Sequence, residues 1–170
     1  RAQRAGVRHL VKLSSLESVP ESPNPITRMH VASEQFIRES GMDWTMIRPT
    51  FFMQTFLGSA AAIREQGRIS LPTGQGTIAP TDIRDVGGVI FRVLTGQGHE
   101  NRSYDLTGPE LVTLADVART FSRVLGREIV YVDQPMEEFR ARLTAVNLAP
   151  WRSDAVCREF EAIAAGAGPV

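Results

Sequence analysis

Cysteine occurs once in the 170 residues, at Cys157, which excludes an internal disulfide. No Cys or His stands near it at metal-ligand spacing, so no metal site is expected. That usage suits a reducing compartment, and the cytoplasm is the expected location. No apolar run approaches the length of a bilayer span, and the N-terminus lacks the apolar core of a signal peptide, so the chain reads as soluble with no membrane partner. An excess of one charge is missing too. Lys plus Arg and Asp plus Glu number 19 each, and most positive charges are arginines scattered singly through helical stretches, which leaves no basic stripe to follow a nucleic-acid backbone. Internal repeats are absent, as is a glycine-rich turn of the kind that cradles a pyrophosphate between a buried strand and a helix start. Gly74-Gln-Gly76 and Gly96-Gln-Gly98 do not stand in that setting.

What is present is an alternation of short apolar runs and amphipathic stretches. Arg1 to Gly6 reads as the last turn of a helix capped by glycine, so the chain is expected to begin inside a domain. His9-Leu-Val-Lys-Leu-Ser14-Ser15 follows as a buried strand feeding a polar, proline-rich loop from Glu17 to Pro25. Ile26 to Ser40 sets Met29, Ala32, Ser33, Phe36 and Ile37 on one side of a helix that Gly41 stops, and Trp44 to Ile47 is the next strand. Two strands joined by such a helix make a parallel crossover, the unit of an open doubly wound sheet. Beyond Pro49 the pattern predicts a helix over Phe52 to Gln66, a turn or hairpin around Thr73-Gly-Gln-Gly76, and a helix from Asp82 to Leu94 capped by Asp82 or Asp85. A strand from Ser103 to Thr107 comes next. Thr113 and Asp116 form a capping-box-like pair ahead of a helix ending at Gly126; the strand Glu128 to Val132 and two helices, Pro135 to Val146 and Ser153 to Ala165, complete the chain.

In an open α/β sheet, ligands bind outside the carboxyl ends of the strands. Ser14 and Ser15 end one strand, Pro49 to Met53 follow the next, and the start of the intervening helix projects into the same crevice. There His30 and Glu34, spaced i,i+4, share a helix face. A hydroxyl, an imidazole and a carboxylate thus meet around one small site, with Phe51, Phe52 and Met53 as either a ligand wall or ordinary packing. Each residue also has a plainer reading. His30 then lines a helix, Glu34 is a solvent-facing carboxylate paired with Arg38, Ser14 and Ser15 satisfy stray backbone groups, and Arg48-Pro49 is architecture.

These residues resemble a known family, the NmrA-like NAD(P)-binding group of the atypical extended short-chain dehydrogenase/reductases. The marks are Ala5-Gly6-Val7, Ser14-Ser15, His30-x-x-x-Glu34, Gly41-Met-Asp-Trp-Thr-Met-Ile-Arg48-Pro49, Phe52-Met53 and Thr81-Asp82-Ile-Arg-Asp85-Val86. Tyr104-Asp-Leu-Thr-Gly108 and Leu114 to Gly126 are similar to the family's small C-terminal substrate lobe, and the resemblance runs to Phe139. It implies an α/β fold: the second half of a Rossmann-like, doubly wound parallel sheet over residues 1–100, and a small α/β lobe with terminal helices over 101–170. It implies further an NADP or NAD cofactor against Ser14, Ser15, His30, Pro49, Thr50, Phe51, Phe52 and Met53, and a small carbonyl or quinone-like substrate between the lobes.

In reductases of the wider superfamily a Tyr-x-x-x-Lys pair works in the intervening helix. Here His30 stands where the Tyr would be and Glu34 where the Lys would be, so the expected catalytic residues are His30 as proton source and Glu34 as a carboxylate favouring its imidazolium. With the glycine-rich half of the cofactor site outside these residues, tight dinucleotide binding by them alone is not expected. Three functional readings follow: an NAD(P)H-dependent oxidoreductase, a non-catalytic dinucleotide sensor binding a protein partner, or a truncated piece without activity of its own. A second copy of the chain is a further candidate partner.

Overall fold

Gly6, at φ +80°, closes a 3-10 turn over Gln3–Ala5 and turns the chain toward its first strand; glycine adopts that conformation with no Cβ penalty. The computed structural model describes residues 2–16 and 18–168. Arg1 and Glu17, which open the expected N-terminal turn and the proline-rich loop, lie outside the described residues, as do the last two of the chain. The elements run in the order β1 (His9–Leu13), α1 (Pro25–Arg38), β2 (Asp43–Pro49), a 3-10 stretch (Met53–Ser59), α2 (Ala60–Gln66), β3 (Arg68–Leu71), β4 (Thr77–Ile78), α3 (Ile83–Thr95), β5 (Arg102–Leu106), β6 (Val112–Thr113), α4 (Leu114–Leu125), β7 (Val130–Asp133), α5 (Met136–Ala145) and α6 (Pro150–Ala164).

Two compact units are interleaved along the sequence. The first is Arg1–Phe52 with Thr81–Gly108 and the second Met53–Pro80 with Pro109–Val170. In the first, β1 pairs in parallel with β2, from His9 opposite Asp43 to Leu13 opposite Ile47. β5 joins the far side of β2, also parallel, from Thr45 opposite Arg102 to Pro49 opposite Leu106. That pairing places residues 102–106 in the first sheet, which corrects a single boundary at residue 100. Successive side chains of a strand point to opposite faces. Val11 and Ile47 therefore face α3, where Ile47, Val86 and Val93 form a buried core with Phe52, Val89, Ile90, Tyr104 and Leu106 packed on it. Lys12 and Arg48 point to the other face, toward α1.

Asn24 caps α1 by accepting from the Ile26 N–H, and Pro25 occupies the first turn, where its missing N–H costs nothing. The side of α1 that the sequence marks as apolar is turned outward: Met29 is 60% and Phe36 75% exposed. Thr27 and Glu34 are the buried residues of this helix. The inward face is polar because β2 carries Arg48, whose guanidinium needs a carboxylate at that depth.

In the second unit β3 pairs in parallel with β7 and β4 antiparallel with β6. Residues 68–80 are thus two separate strands joined by a turn, closed by the Gly76 N–H on the Thr73 carbonyl at 2.8 Å, and not a hairpin. The expected helix over Phe52 to Gln66 is also corrected, since it is α-helical only from Ala60 and is preceded by the 3-10 stretch, while Phe52 belongs to the first unit's core. Phe139 stacks edge-on against Phe160 at 4.9 Å between centroids, and Cys157 is fully buried nearby on α6. Burial pushes its thiol up, away from the reactive thiolate form. Gly76 lies under α6, with a Cβ at that position falling 1.9 Å from the Ile163 carbonyl oxygen. Among the described residues no helix is long and apolar enough to cross a membrane.

Candidate functional site

The site grows from the strand alternation. Lys12, Ser14 and Arg48 share the sheet face under α1, and His30 and Glu34 descend on them from one face of that helix. Ser14 follows β1 by one residue and prolongs its ladder through its N–H on the Ile47 carbonyl at 2.7 Å. Its hydroxyl, buried, donates to Glu34 Oε1 at 2.5 Å. The Arg48 guanidinium grips the same carboxylate with two parallel bonds, Nε to Oε1 at 3.0 Å and Nη2 to Oε2 at 2.5 Å, the bidentate geometry that suits arginine. Arg38, stacked over the Trp44 ring at 4.2 Å, adds a longer bond to Oε2 at 3.3 Å.

Glu34 is 4% exposed, which corrects its reading as a solvent-facing carboxylate, although the pairing with Arg38 is present. Burial alone would raise its pKa, but the hydrogen bonds from Arg48 and Ser14, the Arg48 charge and the bond from Arg38 together hold it below the usual carboxylate range. It is an anchored carboxylate, already supplied with donors.

His30 is half-buried and meets Lys12, whose Nζ lies 2.8 Å from Nδ1. The imidazole pKa is lowered, first by burial and then by the Lys12 charge, with Glu34 acting the other way and outweighed. Glu34 does favour the imidazolium, as expected, but burial and Lys12 outweigh it. The lowered pKa and the Lys12 ammonium facing Nδ1 both favour the neutral ring. Lys12 itself is held below its ordinary value, first by burial, then with Glu34 raising it and Arg48 lowering it.

The remaining sequence-selected residues divide. Ser15 is half-buried beside Ser14 and its carbonyl accepts from the Ser18 N–H at 3.1 Å. Pro49, Thr50 and Phe51 are buried where β2 ends. Thr50 is tied down by its N–H on the Leu106 carbonyl at 2.9 Å and by a hydroxyl contact with Thr81 at 2.9 Å, and the Thr81 N–H reaches the Phe51 carbonyl at 2.8 Å. Phe52 packs in the core and Met53 falls in the second unit. The structure therefore brings Ser14, His30 and Glu34 together and does not add Phe52 or Met53 to them. Sequence reasoning missed Lys12 and treated Arg48 as architecture. A signal existed: Lys12 is the only lysine in the chain, and it sits two residues before Ser14, on the same strand face.

Within the second unit, Met53, Phe56, Pro80, Val112, Val117 and Phe121 line an apolar recess of about 280 Å³. Among the described residues no group of His, Cys, Asp and Glu could hold a metal ion.

The NmrA-like family model matches residues 2–158. The chain belongs to the NmrA-like family. Among curated relatives it is 38% identical over 155 residues to the NAD(P)H azoreductase of Xenophilus azovorans, covering 91% of this chain and 54% of that one. It is 41% identical over 145 residues to the (4-alkanoyl-5-oxo-2,5-dihydrofuran-3-yl)methyl phosphate reductase of Streptomyces griseus, covering 85% and 51%. A solved NADPH-dependent quinone oxidoreductase of Escherichia coli, complexed with NADPH, superposes with a TM-score of 0.84 at 27% identity, over 98% of this chain and 58% of that one. The triphenylmethane reductase of Citrobacter sp., complexed with NADP(H), gives 0.84 at 25% identity, over 99% and 59%. This NmrA-like chain thus spans about half the length of the curated relatives it matches.

Proposed function

We propose that this NmrA-like chain supplies the proton-donating and substrate-binding part of an NAD(P)H-dependent oxidoreductase acting on a small quinone-like, azo or carbonyl compound. The observation that carries the reading is His30 Nδ1 held 2.8 Å from the Lys12 Nζ beside the parallel strands β1 and β2. The relatives' names support reduction by a nicotinamide dinucleotide.

The residues fit such a cofactor in charge. The Glu34 carboxylate is outnumbered by Arg48, Arg38 and Lys12, so the cluster is positive and tolerates a polyanion beside it. Ser14, Ser15 and His30 would contact it, and the group would supply hydride when bound. This chain's part is to orient through the rigid ends of β1 and β2, and to give a proton from the His30 imidazole. Both Glu34 oxygens are already taken up by Ser14, Arg48 and Arg38. Its proposed part is to position Ser14 and Arg48.

The test is oxidation of NADPH and NADH by the protein expressed with its complete reading frame, against a panel of quinones, azo dyes and aldehydes. Turnover with at least one member is expected, and His30→Ala is expected to lower kcat by about 100-fold, the lower end of acid–base effects, with KM kept. Unchanged kcat in that variant rejects the acid role. Dinucleotide binding with no oxidation of any panel member rejects the enzyme in favour of a dinucleotide-sensing regulator.

A further inference from the structure

The polarity of every hydrogen bond between Arg48 and His30 is fixed by chemistry. Glu34 is ionised and accepts only. Ser14 must therefore spend its single hydroxyl proton on Glu34 Oε1, at 2.5 Å, and can only accept from its other neighbours. Those are the Ser18 hydroxyl at 3.2 Å and the Lys12 Nζ at 3.1 Å. An ammonium has three hydrogens and no acceptor site. Lys12 meets three acceptors: Ser14 Oγ, the Leu13 carbonyl at a long 3.4 Å, and His30 Nδ1 at 2.8 Å. Nδ1 accepts, so in the neutral ring the hydrogen sits on Nε2.

We propose that Lys12, the chain's only lysine, is a positioning and proton-supplying residue that holds His30 as the Nε2–H tautomer and replaces the proton His30 gives up. The proposal rests on His30 being the acid of the reduction described above. As the Nε2–H bond breaks and its proton passes to a substrate oxygen or nitrogen made basic by reduction, an Nζ–H bond of Lys12 breaks and an Nδ1–H bond forms. Each bonding pair stays with the nitrogen that loses the proton, His30 ends as the other neutral tautomer, and Lys12 ends as the free amine, to be reprotonated from water. No imidazolate is formed. The reduction's electrons come from the NAD(P)H of the proposed function and not from this pair.

The charged groups around the pair favour such a transfer. Glu34 and Arg38 lie on α1 and Arg48 on β2, and Asp105 on β5 acts on Arg48. Burial and Arg48 bring the ammonium nearer to releasing its proton, against the opposing pull of Glu34.

Histidine 15N NMR of the labelled protein at neutral pH reads the tautomer directly, without cofactor or turnover. His30 is expected with a hydrogen on Nε2 and a bare, hydrogen-bonded Nδ1, and in 15N-lysine-labelled protein the Lys12 side-chain resonance, assigned by its loss in Lys12→Met, is expected to titrate below a free lysine. Lys12→Met is expected to mix the tautomers and raise the His30 midpoint, whereas Lys12→Arg keeps charge, donor and tautomer. Because a guanidinium does not release its proton in this range, Lys12→Arg is expected to lower kcat by about 10-fold or more, within the span of acid–base effects. KM should hold, and the alkaline limb of the kcat–pH profile should disappear. An Nδ1–H tautomer or an imidazolium in the parent protein overturns the proposal, as does a Lys12→Met spectrum with His30 unmoved. Full turnover in Lys12→Arg overturns proton supply. If the parent protein reduces nothing, the proposed function fails, and the tautomer spectra still decide the positioning role.

Discussion

Removing the guanidinium at position 48 leaves a carboxylate buried without its bidentate partner. Arg48→Leu is expected to destabilise the fold by about 3 kcal/mol, because an uncompensated buried charge costs more than the pair contributes. The double change Glu34→Leu with Arg48→Leu should recover most of that loss, and urea midpoints for the two variants test both statements. The same cluster sets a pH response. His30 has a folded pKa below its ordinary value, so the unfolded chain takes up its proton first, and stability falls as pH drops below about 6.5. Glu34, also depressed when folded, contributes stability that is present above the ordinary carboxylate pKa, about 4.3, and lost as pH falls through its folded value. Thermal midpoints should therefore decline in two stages on acidification, and His30→Asn should abolish the first. Little of this was legible in the sequence. Glu34 has a ready local explanation in Arg38 at i,i+4, while its stronger partner, Arg48, stands on a strand 14 residues away in sequence. Lys12 stands inside an apolar run, and only the position of α1 makes it a donor to His30.

Helix starts were more legible, because capping is local chemistry. Thr113 and Asp116 form the reciprocal box at the head of α4, the Thr113 hydroxyl receiving the Asp116 N–H at 3.2 Å and Asp116 Oδ2 receiving the Thr113 N–H at 2.8 Å. Thr113→Ala is expected to cost about 1 kcal/mol, measurable as a shift of the denaturation midpoint. Asp82, one of two candidates, is the residue that caps α3. Strand partners were not legible. β3 and β4 are close in sequence and invite a hairpin, yet their partners β7 and β6 lie far along the chain, and no period within residues 68–80 encodes that. Nor does a sequence disclose that Gly76 lies against the backbone of α6. Gly76→Ala must push α6 away from the turn and is expected to cost about 3 kcal/mol, the upper part of the overpacking range. Gly74, where an added Cβ would meet only the Asp133 carboxylate at 3.9 Å, is not a fair control, since its φ of +51° also penalises any other residue.

Taken as a whole, the molecule keeps large apolar groups on its surface. Met29 and Phe36 on α1 and Phe91 and Leu94 on α3 are all more than half exposed, and within the described residues β1 is paired along one edge only. Such surfaces promote association. Light scattering is expected to show concentration-dependent assembly of the chain alone, and Phe36→Glu with Phe91→Glu is expected to suppress it. The doubly wound half-sheet could be read from residues 9–49 because strand, helix and strand are consecutive there. The interleaving could not, since it depends on β5 returning to β2 from beyond an inserted stretch of the other unit. That detour has a consequence during synthesis. β5 leaves the ribosome ~50 residues after β2, about 3–10 s at ordinary elongation rates of roughly 5–20 residues per second, and until then one side of β2 has no neighbour. Translation speed between codons 50 and 101 thus sets how long a nascent-chain chaperone has to engage the half-built sheet.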